Sequence, residues 1–153
     1  MENRALINTS REFALYIRSK GYAMIESKTH LSISKDLVGE SVSISADKAT
    51  VVLHTTPEMA ADAVGLVHGG FIFGLADYAS MLAVNDPNVV LGSATTKFTA
   101  PVRVGDVATA VAEVVETSGR RREVAVNVTV GEKVVLTGTF MTFVLDRHVL
   151  SSS

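Results

Sequence analysis

From His68 to Asn85 the chain reads HGGFIFGLADYASMLAVN. No proline interrupts the run from Val67, and strong helix formers (Leu75, Ala76, Ala79, Met81, Leu82, Ala83) outnumber β-branched residues, which predicts one long helix over 67–85. Its apolar positions fall on nearly every side. Such a helix cannot lie on a surface and must be wrapped by other elements, so the pattern makes it the hub of a core. Asp77 is the single formally charged side chain between His68 and Asn85, and a lone carboxylate there needs a reason. Asp86-Pro87-Asn88 closes the helix, because proline cannot continue it and disfavours the helical conformation at the residue before.

Before and after this helix the period is two. Ser41 to Ser45 alternates, Ala46-Asp47-Lys48 supplies a turn, and Ala49 to Thr55 returns as a second strand. Pro57 to Val64 reads as a loop. Four β segments follow the helix: Val89 to Ala100, Asp106 to Thr117, Glu123 to Val130 and Val134 to Leu145. Val124, Val126, Val128 and Val130 point one way while Ala125, Asn127 and Thr129 point the other, the mark of a half-buried antiparallel strand. Ser118-Gly119 and Gly131-Glu132 are turn signals between consecutive strands, and Val104-Gly105-Asp106 marks another. The order is two strands, one buried helix, then four strands in a meander: an α+β domain over 38–147. A single antiparallel sheet hides such a helix by curling around it. One layer leaves the other side open, which a second copy would close, so a symmetric dimer at least is expected.

At the N-terminus, Thr9-Ser10-Arg11-Glu12 matches a capping box and Gly21 a helix stop, which predicts a short helix over 10–20 with Phe13, Tyr16 and Ile17 on one face. It reads as a lid on the main body. A DNA-binding helix-turn-helix would need a second helix that the sequence does not offer. Residues 22–37 show no period, so residues 1–37 are taken as an extension and 148–153 as a tail.

Composition narrows the function. A chain of 153 residues fits one domain, and 47% hydrophobic with 20% charged residues belongs to a folded chain. A net charge of −2 gives no general attraction to nucleic acid or anionic lipid, so neither is expected as a partner. The absence of cysteine excludes disulfides, thiolate chemistry and Cys-based zinc sites. MENRALINTSREF has neither a secretory apolar region nor an Arg-rich leader, and the central helix carries Asp77 and several glycines, so the expectation is a soluble cytoplasmic protein.

Gly65-Leu66-Val67-His68-Gly69-Gly70, then Leu75-Ala76-Asp77, then Phe98-Thr99-Ala100-Pro101-Val102-Arg103-Val104-Gly105-Asp106 together resemble the hotdog-fold acyl-CoA thioesterases of the phenylacetate-pathway (PaaI-like) type. The resemblance spans roughly Val38 to Leu145. It implies a hotdog fold with an antiparallel sheet wrapped around one long helix, and hydrolysis of an acyl- or aroyl-CoA thioester. It also implies coenzyme A as part of the substrate, no further cofactor, and a homodimer or dimer of dimers. Asp77 lies nine residues after His68, as the family's catalytic acid does after its motif histidine. Two positions depart from the pattern. Asp62 stands where the thioesterases often carry an asparagine, and an ionised carboxylate cannot donate a hydrogen bond to a carbonyl. Leu91 stands where some relatives use Ser or Thr, for which Ser93, Thr95 or Thr96 are the substitutes at hand.

The residues support a mechanism on physical grounds. A helix N-terminus exposes amide N–H groups and carries partial positive charge. Gly69 and Gly70 have no Cβ, so a thioester carbonyl could approach their amides and be stabilised as it becomes an oxyanion. The competing reading is that both glycines only let the chain enter a crowded core. Asp77, held among apolar neighbours, has the raised basicity that suits a base or nucleophile; otherwise it is a buried carboxylate bonded to backbone or paired across a dimer. Eight residues separate Gly69 from Asp77, about 12 Å along a helix axis. One subunit cannot present both groups to one carbonyl, but two antiparallel helices could. His68 is expected to shape the helix entry more than to transfer protons, and the other histidines, His30, His54 and His148, show no ligand spacing, so no metal is expected.

Arg120-Arg121-Arg122 is the dense basic cluster. It is either a solvated hairpin tip or, with Lys97 or Arg103, a clamp for the phosphates of coenzyme A. The rival function is a non-catalytic acyl-CoA or acyl-ACP binding module. Val89 to Val114 resembles the effector domain of the fatty-acid biosynthesis repressors, which lack the acid at the place of Asp77 and carry an N-terminal DNA-binding domain. The 37 or so residues before the β region are too few for that domain. A dehydratase of the same fold ranks below both.

Overall fold

The structure, a computed structural model, describes residues 24–151 together with Glu12, Leu15, Tyr16 and Ser19. A single turn of helix, α1 (Lys35–Val38), precedes strands β1 (Glu40–Ser45) and β2 (Lys48–His54). A 3-10 turn at Pro57–Met59 leads to the long helix α2 (Gly69–Val84). Four strands follow: β3 (Val89–Phe98), β4 (Val107–Ser118), β5 (Arg121–Val130) and β6 (Lys133–Val144). All six form one antiparallel sheet in the order β1-β2-β4-β5-β6-β3, and α2 lies against one face of it. Glu12, Leu15, Tyr16 and Ser19 are helical. The rest of the predicted 10–20 helix, Phe13 and Ile17 included, lies outside the described residues, as do Ser152 and Ser153.

Two expectations change. The meander holds for β4, β5 and β6, but β3 takes the far edge beside β6 and β2 is the neighbour of β4. Alternation fixes which residues face the core, not which strand lies alongside, and the link 99–106 is long enough to carry the chain past the helix tip. There Val67 N–H donates to Val102 O at 2.8 Å, Val104 N–H donates to Gly65 O at 2.8 Å, and Leu66 bridges Arg103. The helix also begins two residues later than its apolar run. The amides of Val67 and His68 are used outside it, the second donating to Met59 O at 2.9 Å. At the other end Asn85 turns left-handed (φ 53°) and its N–H closes on Met81 O at 2.8 Å. The Asn85 side chain accepts Lys28 N–H at 2.8 Å and donates to Glu26 O at 3.0 Å, which stitches the incoming segment to the helix end.

The core explains the closeness of helix and sheet. Ala108, Ala110 and Ala112 of β4 and Ala49 of β2 have no exposed surface, and these methyl groups let α2 settle low over the middle of the sheet. Larger residues flank them: Val51 and Leu53 on β2, Val124, Val126 and Val128 on β5, Leu136 and Phe140 on β6. From the helix, Ile72, Leu75, Ala76, Ala79, Leu82 and Ala83 complete the cluster. Each fully buried Leu or Phe contributes about 1.5–3 kcal/mol against exposure. Gly39 (φ +105°) turns α1 into β1 where a Cβ would stand 2.8 Å from Val51 and 2.9 Å from the Val52 carbonyl oxygen, so a larger residue has neither the space nor the conformation.

Candidate functional site

The tip of α2 is built by its flanking loops. Asp62 Oδ1 accepts three backbone amides in succession, Val64 at 3.0 Å, Gly65 at 3.0 Å and Leu66 at 3.1 Å. The Leu66 bond is the largest influence holding the Asp62 carboxyl below its ordinary value, with the Val64 and Gly65 bonds acting the same way. Asp62, expected near substrate, thus braces the loop that enters the helix with one oxygen. On the opposite side Thr55, a buried residue, donates through Oγ1 to Asp106 O at 2.6 Å, and Arg103 N–H donates to Asp106 Oδ2 at 2.9 Å, which sets the turn after Pro101.

His68 is the N-cap of α2, in extended conformation (φ −60°, ψ 131°), and its Nδ1 accepts the Gly70 N–H at 2.9 Å. That bond fixes the proton of the neutral ring on Nε2. Gly70 and His68 are both exposed, and the His68 ring stands edge-on to Phe71 with centroids 6.3 Å apart. The two amides expected together as oxyanion donors are therefore unlike. Gly70 is engaged within its own chain, while no acceptor among the described residues takes the Gly69 N–H.

Gly69 lies in a cavity of about 430 Å³ lined also by Leu66, Ile72, Phe98, Pro101 and Val135. The ring of Phe98 rests on it: a Cβ at residue 69 would meet Phe98 Cε1 at 3.2 Å. In the sequence Phe98 is only one member of a motif, and no local signal announces its contact with Gly69, which depends on β3 pairing with β6.

Asp77 sits two turns along the helix from Gly69 and is half-buried. Gly70 is exposed, and Phe73, Gly74 and Asp77 are half-buried, at the spacing that puts all four on one face. Burial raises the Asp77 carboxyl from 3.8 to about 6. Its Oδ1 is buried and, among the described residues, has no hydrogen-bond partner. Such an atom carries a desolvation cost and marks a place where a further group is accommodated.

The remaining candidates do not converge on this point within one chain. Phe98 pairs with buried Leu136, so alternation turns Ser93, Thr95 and Lys97 to the sheet face away from α2. Thr95 and Lys97 line a separate polar cleft of about 290 Å³ with Asn127, Thr137 and Thr139. Arg120 is paired with Asp146, and Arg121 with Glu116 at 3.2 Å. Arg122 donates to Gly119 O at 2.7 Å. The triplet is thus held by its own hairpin and neighbouring acids. Arg103, exposed beside the cavity mouth, has no ion pair among the described residues. Among the described residues no group of three or more His, Asp or Glu could hold a metal ion, and no described helix is long and apolar enough to cross a membrane.

Comparison with known proteins agrees with this geometry. The sequence profile of the Thioesterase superfamily matches residues 64–137, the helix and the strands that carry the site. An uncharacterized protein of Pyrococcus horikoshii, known by its crystal structure, is 50% identical, with a TM-score of 0.84 over 85% of this chain and 100% of that one. A mutant of the phenylacetic acid degradation protein PaaI from Thermus thermophilus is 28% identical, with a TM-score of 0.66 over 72% of this chain and 97% of that one. Among curated relatives, methylthioribose-1-phosphate isomerase of Aquifex aeolicus is 50% identical over 78% of this chain, and transcription factor FapR of Caldanaerobacter subterraneus is 28% identical over 80%. The chain spans only 26% of the former and 62% of the latter. With its helix wrapped by a six-stranded antiparallel sheet, its glycine tip and its matched profile, the chain belongs to the thioesterase superfamily of hotdog-fold proteins and is PaaI-like in build.

Proposed function

We propose that this protein hydrolyses an acyl- or aroyl-CoA thioester to the free acid and coenzyme A. The observation that carries the reading is Asp77: a half-buried carboxylate, raised to about 6, with a buried, unpartnered oxygen, on a helix whose tip offers the Gly69 amide. The carboxylate removes a proton from water, and the hydroxide oxygen bonds to the thioester carbon. The carbonyl electrons move to oxygen, where the Gly69 N–H and the helix dipole stabilise the charge. Collapse breaks the carbon–sulfur bond, and the thiolate takes the proton back from Asp77. The same carboxylate placed against the carbonyl carbon would instead attack it directly. A single turnover in heavy-oxygen water tests direct attack, since the mixed anhydride it forms, when water opens it at the Asp77 carbonyl, leaves a protein oxygen in the product acid and solvent oxygen in Asp77.

About 12 Å of helix separates Gly69 from Asp77. In this reading the site is therefore shared, the amide coming from one protomer and the carboxylate from its twin across an antiparallel pair of α2 helices. Two such sites form per dimer. Arg103 at the cavity mouth is the cation placed for a phosphate of coenzyme A. Lys97, on the far face, and the engaged Arg120, Arg121 and Arg122 would take part only through another subunit.

The experiment is thiol release from a panel of acyl-CoAs. Activity lost on Asp77→Asn with binding retained supports the reading, as does loss of activity in a variant held monomeric. A fully active monomer would end the shared site. Binding without thiol release by the unaltered protein would favour the second reading, an acyl-CoA sensor, which the likeness to transcription factor FapR supports.

A further inference from the structure

The geometry points to Phe98 as the residue that sets which acyl groups reach the α2 tip, acting as a movable wall that excludes branching next to the thioester carbonyl. The inference rests on the thioester reading above and assigns a selective role to a residue outside its chemistry.

Three observations carry it. Three carbons of the Phe98 ring, Cε1, Cδ1 and Cζ, lie 3.2, 3.6 and 3.7 Å from the place a Cβ on Gly69 would occupy. The ring thus stands in for the side chain that residue 69 lacks. Phe98 is the last residue of β3 and points to the helix side of the sheet, opposite Leu136, yet it is 55% exposed where Leu136 is fully buried. It is the least enclosed aromatic on that face among the described residues. Finally, Phe98 and Gly69 line the same cavity, together with Ile72, Leu66 and Val135.

An oxygen bonded to the Gly69 amide lies about 2.9 Å from its nitrogen, and the acyl carbon about 1.2 Å beyond. The substituents on the next carbon then fall within reach of the ring. A linear chain can pass along its face. A methyl branch at that carbon meets it and requires the ring to rotate away, against the dispersion contact it makes with Gly69.

The test compares butyryl-CoA with isobutyryl-CoA, which differ only in branching beside the carbonyl. The unaltered protein is expected to favour the linear ester in kcat/KM. Phe98→Ala should shift the ratio toward the branched ester by about tenfold, the scale of one misplaced methyl group, with Phe98→Leu between the two. Phe98→Trp should sharpen the preference. A ratio unchanged across the series, or an equal loss on both esters, would overturn the inference and leave Phe98 a packing residue. If the unaltered protein releases no thiol from these two esters or from any other of the acyl- and aroyl-CoA panel, the hydrolytic reading fails by itself. The ratio of dissociation constants for the same two esters then decides the wall, and no binding of either ends both readings.

Discussion

Nδ1 of His68 accepts the N–H of Gly70 at 2.9 Å, so the second amide of the α2 tip is bound by the residue that caps it. His68→Ala should cost about 1 kcal/mol of stability through the lost cap, and His68→Asn should recover most of it. Because the Gly69 amide is untouched, kcat/KM should fall by less than about tenfold. Urea midpoints beside thiol-release rates check both. A loss near that of an Asp77 variant would instead mean that the imidazole handles protons.

Asp77 gives a pH dependence. Its carboxyl is raised to about 6 by burial, and the base form is the ionised one. Activity should rise with pH through about 6 and level above it, with roughly tenfold loss per unit on the acid side. The rising limb of kcat/KM against pH is the measurement. An acid limb near 4 would show that the assembled site restores ordinary solvation to the group.

The same shift bears on stability, with the opposite sign from a salt-bridged aspartate. The folded value lies above the ordinary one, so Asp77 favours the fold most below pH 3.8, and that contribution is lost as pH rises toward about 6. Asp77→Asn should therefore be more stable than the unaltered protein at pH 7, by on the order of 1–2 kcal/mol once partial exposure is discounted. The gain should vanish near pH 4. Denaturant titrations at the two pH values decide it.

The alanines of β4 are a test of the fold. Ala110→Leu adds volume where α2 meets the sheet and should cost about 1–3 kcal/mol. Val111→Ala, on the other face, should change stability by about 0.5 kcal/mol or less. Thermal unfolding of the pair separates them.

Elements defined by local periodicity were legible in the chain. The alternation of Val124, Val126 and Val128 marks β5, and the apolar run through Leu82 marks α2. What depends on distant partners was not. The position of β3 beside β6 follows from the path of residues 99–106, and nothing within Val89–Phe98 states it. That pairing decides that Lys97 faces away from the helix and that Phe98 reaches Gly69. The pairing of Arg120 with Asp146 likewise needs the end of β6 brought beside the β4–β5 turn. At the site, sequence could single out Asp77 as a lone charge, because contrast with its neighbours is local. It could not divide Gly69 from Gly70, since that division rests on the orientation of one imidazole ring.

Ala108, Ala110 and Ala112 are fully buried, so the middle of the sheet meets α2 with no surface left over for a ligand. The cavity opens instead at the tip of the helix, beside Gly69, Ile72 and Phe98. The alanines that seat the helix and the residues that line its open end thus occupy different parts of the molecule. Selection can redraw the second set while the first stays still, which lets one scaffold change its lining without losing its fold.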